Sequence, residues 1–184
     1  VAQRKKGYTK GLFEWLKKAP WGNPGFSALA LSIAIFGFIG GITGVTFGTE
    51  QINIISHNTL RIPGHFHATV AAGTTLAFMG VTYYVLPLIF RRQVVVPSLA
   101  KLQPYFFGIG ILLVSIGMTF AGSYGISRRH WDIAFTGAPF TLSVDPTALL
   151  MLSVMGIGAI LAVTGALMYI LITVFTVLIG KRPA

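Results

Sequence analysis

Four apolar runs set the limits on what this chain can fold into. They lie at about Phe26–Gly48, Pro63–Phe90, Pro104–Tyr124 and Pro146–Gly180. Each is at least as long as the roughly 20 residues that carry an α-helix across a bilayer. Only 10% of the 184 residues are charged, against about 25% in a soluble domain. The expected fold class is therefore all-α integral membrane, with four transmembrane helices. A basic segment at 1–25 should lie at the interface, the helical part should occupy 26–180, and 181–184 should form a short tail. The polar stretch "TEQINIISHN" closes the first run. Asp145-Pro146 opens the fourth as a capping side chain followed by proline at the first helical position. The chain has no cysteine, which excludes a disulfide framework, an iron–sulfur centre and a thiolate copper site.

A net charge of +10 would suggest nucleic acid as the partner of a soluble chain. Here the basic residues gather at the ends of the runs, so no nucleic-acid partner is expected and the charge is assigned to topology. Eleven of the fourteen lysines and arginines fall on one side: Arg4, Lys5, Lys6, Lys10, Lys17, Lys18, Arg91, Arg92, Lys101, Lys181 and Arg182. Arg61, Arg128 and Arg129 fall on the other. The positive-inside rule then makes both termini cytoplasmic. Residues 1–19 are expected to lie on the inner membrane surface, with Trp15 and Trp21 as interfacial anchors. No cleavable signal peptide is visible. A start at Val1 fits either methionine removal or a piece cut from a longer chain. Gly40, Gly44 and Gly48 give the first helix a smooth face, suited to close helix packing or to the approach of a flat cofactor.

The segment "PGHFH" places His65 and His67 two residues apart at membrane depth, where ionisable groups are usually functional. Successive helical residues turn by about 100°, so these two rings point about 200° apart and cannot chelate one metal. They can serve two centres, one on each flank, on the order of 13–16 Å apart. The competing reading is a pair of interfacial histidines bonded to water or carbonyls. If the helix continued backwards, His57 would sit about 12 Å further out, placed to hydrogen-bond an anionic edge of a cofactor. Arg128-Arg129 on the same side suit carboxylates or phosphates, or else lipid head groups. His130, Trp131 and Asp132 carry no independent signal. Two hemes would satisfy the whole pattern, since each offers an iron to imidazole and two propionates to arginine.

At "HNTLRIPGHFHATVAAGTTLAFMGVTYYVLPLIF" the chain resembles the tenth helix of subunit I of the heme–copper oxygen reductases, and "PWGNP", "HNT…PGHFH" and "SRRHWDIA" resemble its B-type (ba-type) branch. The resemblance runs from about Pro20 to the last apolar run. It implies that the four helices correspond to helices nine to twelve of a twelve-helix core, in the inner membrane of a prokaryote. It implies that His65 is the proximal ligand of a high-spin a-type heme, where oxygen is reduced, and that His67 is an axial ligand of a low-spin a- or b-type heme. His57 and Asn58 then match positions near the propionates of the high-spin heme, and Arg128 and Arg129 match the arginine pair on the propionates of both. Two departures stand out. Asn58 replaces the aspartate that helps bind an outer magnesium in A-type enzymes, and Asn53 stands where a B-type relative has aspartate.

The three histidines that bind the distal copper in this family, and the second ligand of the low-spin heme, have no counterpart here. The resemblance thus implies an N-terminal part of subunit I as partner, together with subunit II and a cytochrome c or quinol donor, and no turnover by this chain alone. The rivals are a nitric oxide reductase of the same superfamily and a non-catalytic four-helix heme b electron carrier. The second would need histidines on other helices at membrane depth, which the first, third and fourth runs lack.

Overall fold

The computed structural model describes residue 11, residues 13–129 and residues 143–182. In chain order the helices are α1 (Glu14–Lys17), α2 (Pro24–Phe47), α3 (Glu50–Ser56), α4 (Arg61–Phe90), α5 (Pro97–Ser123) and α6 (Pro146–Ile179). Four of these, α2, α4, α5 and α6, are long and apolar enough to cross a membrane. Among the described residues there is no strand, only an isolated bridge between Thr59 and Ser127. Residues 1–10 and 12 of the expected interfacial segment, and the expected loop residues His130–Asp132, lie outside the described residues.

The boundaries follow local chemistry. At α2, Pro24 holds the first helical position and the Asn23 side chain accepts from the Phe26 amide at 3.0 Å. Helix α4 starts at Arg61, ahead of the expected Pro63, so that proline falls in the first turn, where a missing N–H leaves no intrahelical bond unmade. Helix α5 starts at Pro97 and not at Pro104. The polar Gln103, which makes 97–103 read as a connection, is fully buried. It accepts from the Tyr83 hydroxyl at 3.1 Å and donates to the Gly165 carbonyl at 3.2 Å. The stretch "TEQINIISHN" is also not all loop, since α3 occupies most of it.

Small residues set the packing. Gly110 and Gly158 bring α5 and α6 into backbone contact, and a Cβ on Gly158 would lie 2.7 Å from the Gly110 carbonyl oxygen. Helix α4 packs between α2 and α5. Between α2 and α4 both helices leave α-geometry, with π-helical winding at Ile35–Gly40 and at His67–Thr75. The two π segments meet: Gly40 lies under Thr69, Gly73 under Phe36, and the buried Ser32 hydroxyl donates to the Gly73 carbonyl at 2.6 Å. A π turn leaves backbone groups out of step with their α-helical partners, and Ser32 occupies one of them. The outer surface is apolar, with Ile33, Phe38, Val45, Leu88 and Ile160 all largely exposed, as suits a chain surrounded by hydrocarbon or by further protein.

One end of the bundle is clasped. Arg92 donates to the Gly180 carbonyl at 2.6 Å and the Gln93 amide to the Lys181 carbonyl at 2.8 Å, tying the α4–α5 connection to the end of α6. At the other end of α6, the Asp145 carboxyl accepts from the Thr147 amide at 2.7 Å. The Thr147 hydroxyl and then that amide hold the carboxyl below its ordinary range. Because the folded-state value is depressed, the cap's contribution is complete above about pH 4 and is lost as pH falls through the folded value.

Gly158→Ala should lower the thermal midpoint of the purified protein, by about 1–3 kcal/mol of overpacking, because the new methyl meets backbone on α5. Gly156→Ala, whose Cβ would have nothing within 4 Å, should be neutral or stabilising by up to ~1 kcal/mol. Equal effects from the two would remove the packing argument.

Candidate functional site

The site gathers on the first two turns of α4, and Gly64 sets its rotation. A Cβ there would lie 2.9 Å from the Thr119 amide nitrogen and 3.0 Å from the Ser115 carbonyl oxygen, so α4 and α5 touch backbone to backbone. The Ser115 hydroxyl donates to the Gly64 carbonyl at 2.6 Å, entirely buried. With Gly64 against α5, helical rotation sends Phe66 to the far side, where it is 55% exposed. His65 and His67 are sent to the two flanks. The backbone is α-helical at Phe66 (φ −60, ψ −38) and His67 (φ −66, ψ −35). The expected opposition of the rings therefore survives, although π winding begins at His67.

Each imidazole has one nitrogen committed. His67 Nδ1 lies 2.8 Å from the Pro63 carbonyl oxygen, which can only accept, so Nδ1 carries the proton. His65 Nδ1 lies 2.8 Å from the Thr43 hydroxyl. That hydroxyl donates its one proton to the α2 backbone, with Ile39 O at 2.6 Å and Gly40 O at 3.1 Å, and so accepts from His65. Both rings are thereby assigned as Nδ1–H tautomers with Nε2 free. A second partner that fixes the tautomer and raises ligand basicity is the usual arrangement around a metal-binding histidine. This donor chemistry fits a heme axial ligand on either flank.

The surroundings of His65 fit as well. Phe47 meets the ring edge to face, with centroids 5.4 Å apart. Gly44 lies over its free edge, where a Cβ would come within 3.2 Å of Cε1. Of the three regularly spaced glycines, Gly40 thus serves helix packing and Gly44 clears the imidazole. The Cβ position of Gly48 has only its own helix nearby, at Val45 O.

The other expected residues meet at one end of the bundle. The helical extrapolation from His65 to His57 does not hold, because the chain turns extended at His57 (ψ 133) and left-handed at Asn58 (φ 60). This turn carries the Asn58 carbonyl to the Arg128 amide at 2.9 Å, and the Leu60 amide bonds Ile126 O at 2.9 Å. His57, Asn58, Arg128 and Arg129 are so drawn to a single junction. Arg129 is exposed, whereas Arg128 Nε is buried with no acceptor among the described residues. Asn53 donates to the Phe47 carbonyl at 3.0 Å, at the end of α2. A carboxylate could not make that bond, which gives the amide at this position a structural purpose.

Sequence reasoning missed Thr43, Phe47 and Arg61 as parts of the site. Thr43 and Phe47 are unremarkable residues in an apolar run, and only the approach of α2 gives them meaning. Arg61 sits four residues before His65, a spacing that places both on one helical face. Among the described residues no group of three or more histidines, cysteines and carboxylates converges as a metal site.

Residues 8–161 match the family model described as "Cytochrome C and Quinol oxidase polypeptide I". Cytochrome c oxidase subunit 1 of Thermus thermophilus is 33% identical over 125 residues, covering 66% of this chain and 22% of that protein. A second T. thermophilus sequence described as cytochrome c oxidase subunit 1 is 32% identical over 110 residues, covering 58% of this chain and 100% of that sequence. Among solved structures, a chain from "Cryo-EM structure of a heme-copper terminal oxidase dimer provides insights into its catalytic mechanism" superposes with a TM-score of 0.85 at 27% identity. That match covers 100% of this chain and 32% of the other. The chain thus spans between a fifth and a third of the full-length proteins it matches.

Removing the Thr43 hydroxyl tests the tautomer assignment. Thr43→Val keeps the shape and deletes the acceptor; for a heme or metal taken up at His65 it should weaken binding by about 10–100-fold, measured by optical titration of the protein freed of heme. Thr43→Ser should retain binding. Equal affinity for valine and threonine would show that the hydroxyl does not orient the ring.

Proposed function

Because the chain belongs to the family of cytochrome c and quinol oxidase polypeptide I, we propose that it forms the C-terminal part of the catalytic core of a B-type heme–copper terminal oxidase. That core reduces oxygen to water and couples this to proton translocation. The observation that carries the reading is the pair of imidazoles on α4, on opposite flanks, each with Nδ1 committed and Nε2 free. When bound, two hemes and a copper supply the electron transfer and oxygen chemistry.

This chain's residues hold and orient. His65 ligates the high-spin a-type heme on the α2 flank, with its ring set by Thr43 and Phe47. His67 ligates the low-spin a- or b-type heme on the other flank. Arg128 and Arg129, with His57 and Asn58 beside them, receive the propionates. The buried, acceptor-less Nε of Arg128 supports this, since a buried guanidinium nitrogen without a partner is costly. The copper ligands and the second low-spin ligand come from an N-terminal part of subunit I, and electrons arrive through subunit II from cytochrome c or quinol. The lysine and arginine distribution supports cytoplasmic termini and an outward-facing His57–Arg128 junction.

Replacing His65 and His67 separately by alanine in the complete complex tests the assignment. Optical spectra should show loss of the carbon-monoxide-binding heme for His65→Ala and of the six-coordinate low-spin heme for His67→Ala. If both variants disturbed the same heme, or if non-heme iron were found in place of copper, the reading as written would fail. A second expected outcome concerns Arg129. A nearby positive charge favours the ferrous state, so Arg129→Gln should lower the midpoint potential of at least one heme by some tens of millivolts, about 59 mV being tenfold for one electron. Arg129→Lys should recover only part, because it loses the planar fork. Unchanged potentials would return this arginine to lipid or topological duty.

A further inference from the structure

Arg61 is an outer-side cation that neither the topology of the chain nor the pair at Arg128-Arg129 accounts for. Its side chain is half-buried and leans on α2, with the guanidinium carbon 5.8 Å from the centre of the Phe47 ring. Phe47 in turn meets His65 edge to face. The three side chains form a stack of cation, arene and imidazole, and a cation over an aromatic face is an attractive contact at this range. The arene satisfies no N–H, however. Arg61 Nε is buried and has no hydrogen-bond partner among the described residues.

Such atoms are not scattered over the bundle. The buried side-chain nitrogens and oxygens lacking partners among the described residues belong to Ser56, Arg61, Thr119 and Arg128. These are the end of α3, the start of α4, the last turn of α5 and the segment after it. The same segments are joined by Leu60 N to Ile126 O and Arg128 N to Asn58 O, and Gly122 leaves room for the Arg61 backbone. Unsatisfied buried polar atoms are few in a native fold and call for a ligand, ion or water. One of them belongs to the guanidinium that stacks beside Phe47 and His65, and the ligand chemistry a guanidinium selects is an anion with more than one acceptor oxygen.

We propose that Arg61 forms a carboxylate-binding site on the His65 flank and acts as a positioning residue for the group that His65 ligates. It would receive a propionate of that heme and place a fixed positive charge on the Phe47–His65 side of α4. This rests on the heme assignment of His65 made above. The consequence is asymmetric: the charge belongs to the His65 heme more than to the His67 heme, because Arg61 shares a helical face with His65 and points at its aromatic neighbour.

The test is a redox titration of both hemes, resolved by their spectra, in complete complexes carrying Arg61→Gln or Arg61→Lys, with His65→Ala prepared alongside. In Arg61→Gln the reduction equilibrium of the His65 heme should shift toward the ferric form by about threefold to thirtyfold, tenfold being about 59 mV for one electron. The His67 heme should shift less, and Arg61→Lys should restore part of the difference. If Arg61→Gln instead loses the His65 heme and Arg61→Lys keeps it, charge at this position is again what holds the group, and the proposal stands. Unchanged potentials, equal shifts in both hemes, or heme loss in the lysine and glutamine variants alike would overturn it. The His65→Ala complex separates this failure from the larger one: if both hemes survive there with normal spectra, the ligation reading is wrong and this inference goes with it.

Discussion

The buried hydrogen bond from Ser115 to the Gly64 carbonyl, at a point where α4 and α5 touch backbone to backbone, fixes the rotation of α4. Everything functional on that helix is a matter of angle. With Gly64 facing α5, the residues one and three places later face the two flanks, and the residue between them faces away. A side chain at position 64 would push α4 off α5 and swing both imidazoles together. The absence of a side chain at one position thus determines where two others point.

A membrane-spanning helix has to satisfy its polar groups without water, and this bundle does so with short side chains. Ser32 reaches the π segment of α4, Thr43 reaches the π segment of α2, and Gln103 bridges α4 to α6. None of these leaves a charge in the bundle interior. The buried charged donors without partners among the described residues, on Arg61 and Arg128, are confined to the junction of α3, α4 and α5, which is also where the chain abandons helix for a paired turn at Asn58. Polarity is thereby divided: closed bonds inside, open donors at one end.

Much of this was legible in the residues. The apolar runs specify four helices, and two histidines two positions apart on a helix must face opposite ways whatever surrounds them. What could not be read was anything that depends on the approach of one helix to another. Thr43 has a meaning only because His65 lies 2.8 Å away, and nothing in a run of glycines, threonines and phenylalanines announces which hydroxyl will face which ring. The helix starts at Arg61 and Pro97 were misjudged for a related reason. Arginine and glutamine read as loop by polarity, while the fold finds partners or an arene for them. Asn58 shows the same limit, since its left-handed turn cancels an extrapolation that assumed a continuous helix.

The two imidazoles are anchored in different ways. His67 is bonded to a carbonyl of its own helix, four residues back, so ring and anchor move as one body. His65 is bonded across a helix–helix boundary to Thr43, which hangs on the Ile39 and Gly40 carbonyls of the π segment of α2. A π turn can migrate along a helix by exchanging one hydrogen-bonded partner for the next, and such a slip in α2 would carry those carbonyls with it. Thr43 therefore links the winding of α2 to the tilt of His65. One imidazole of the pair is set by its own backbone, and the other by a neighbouring helix.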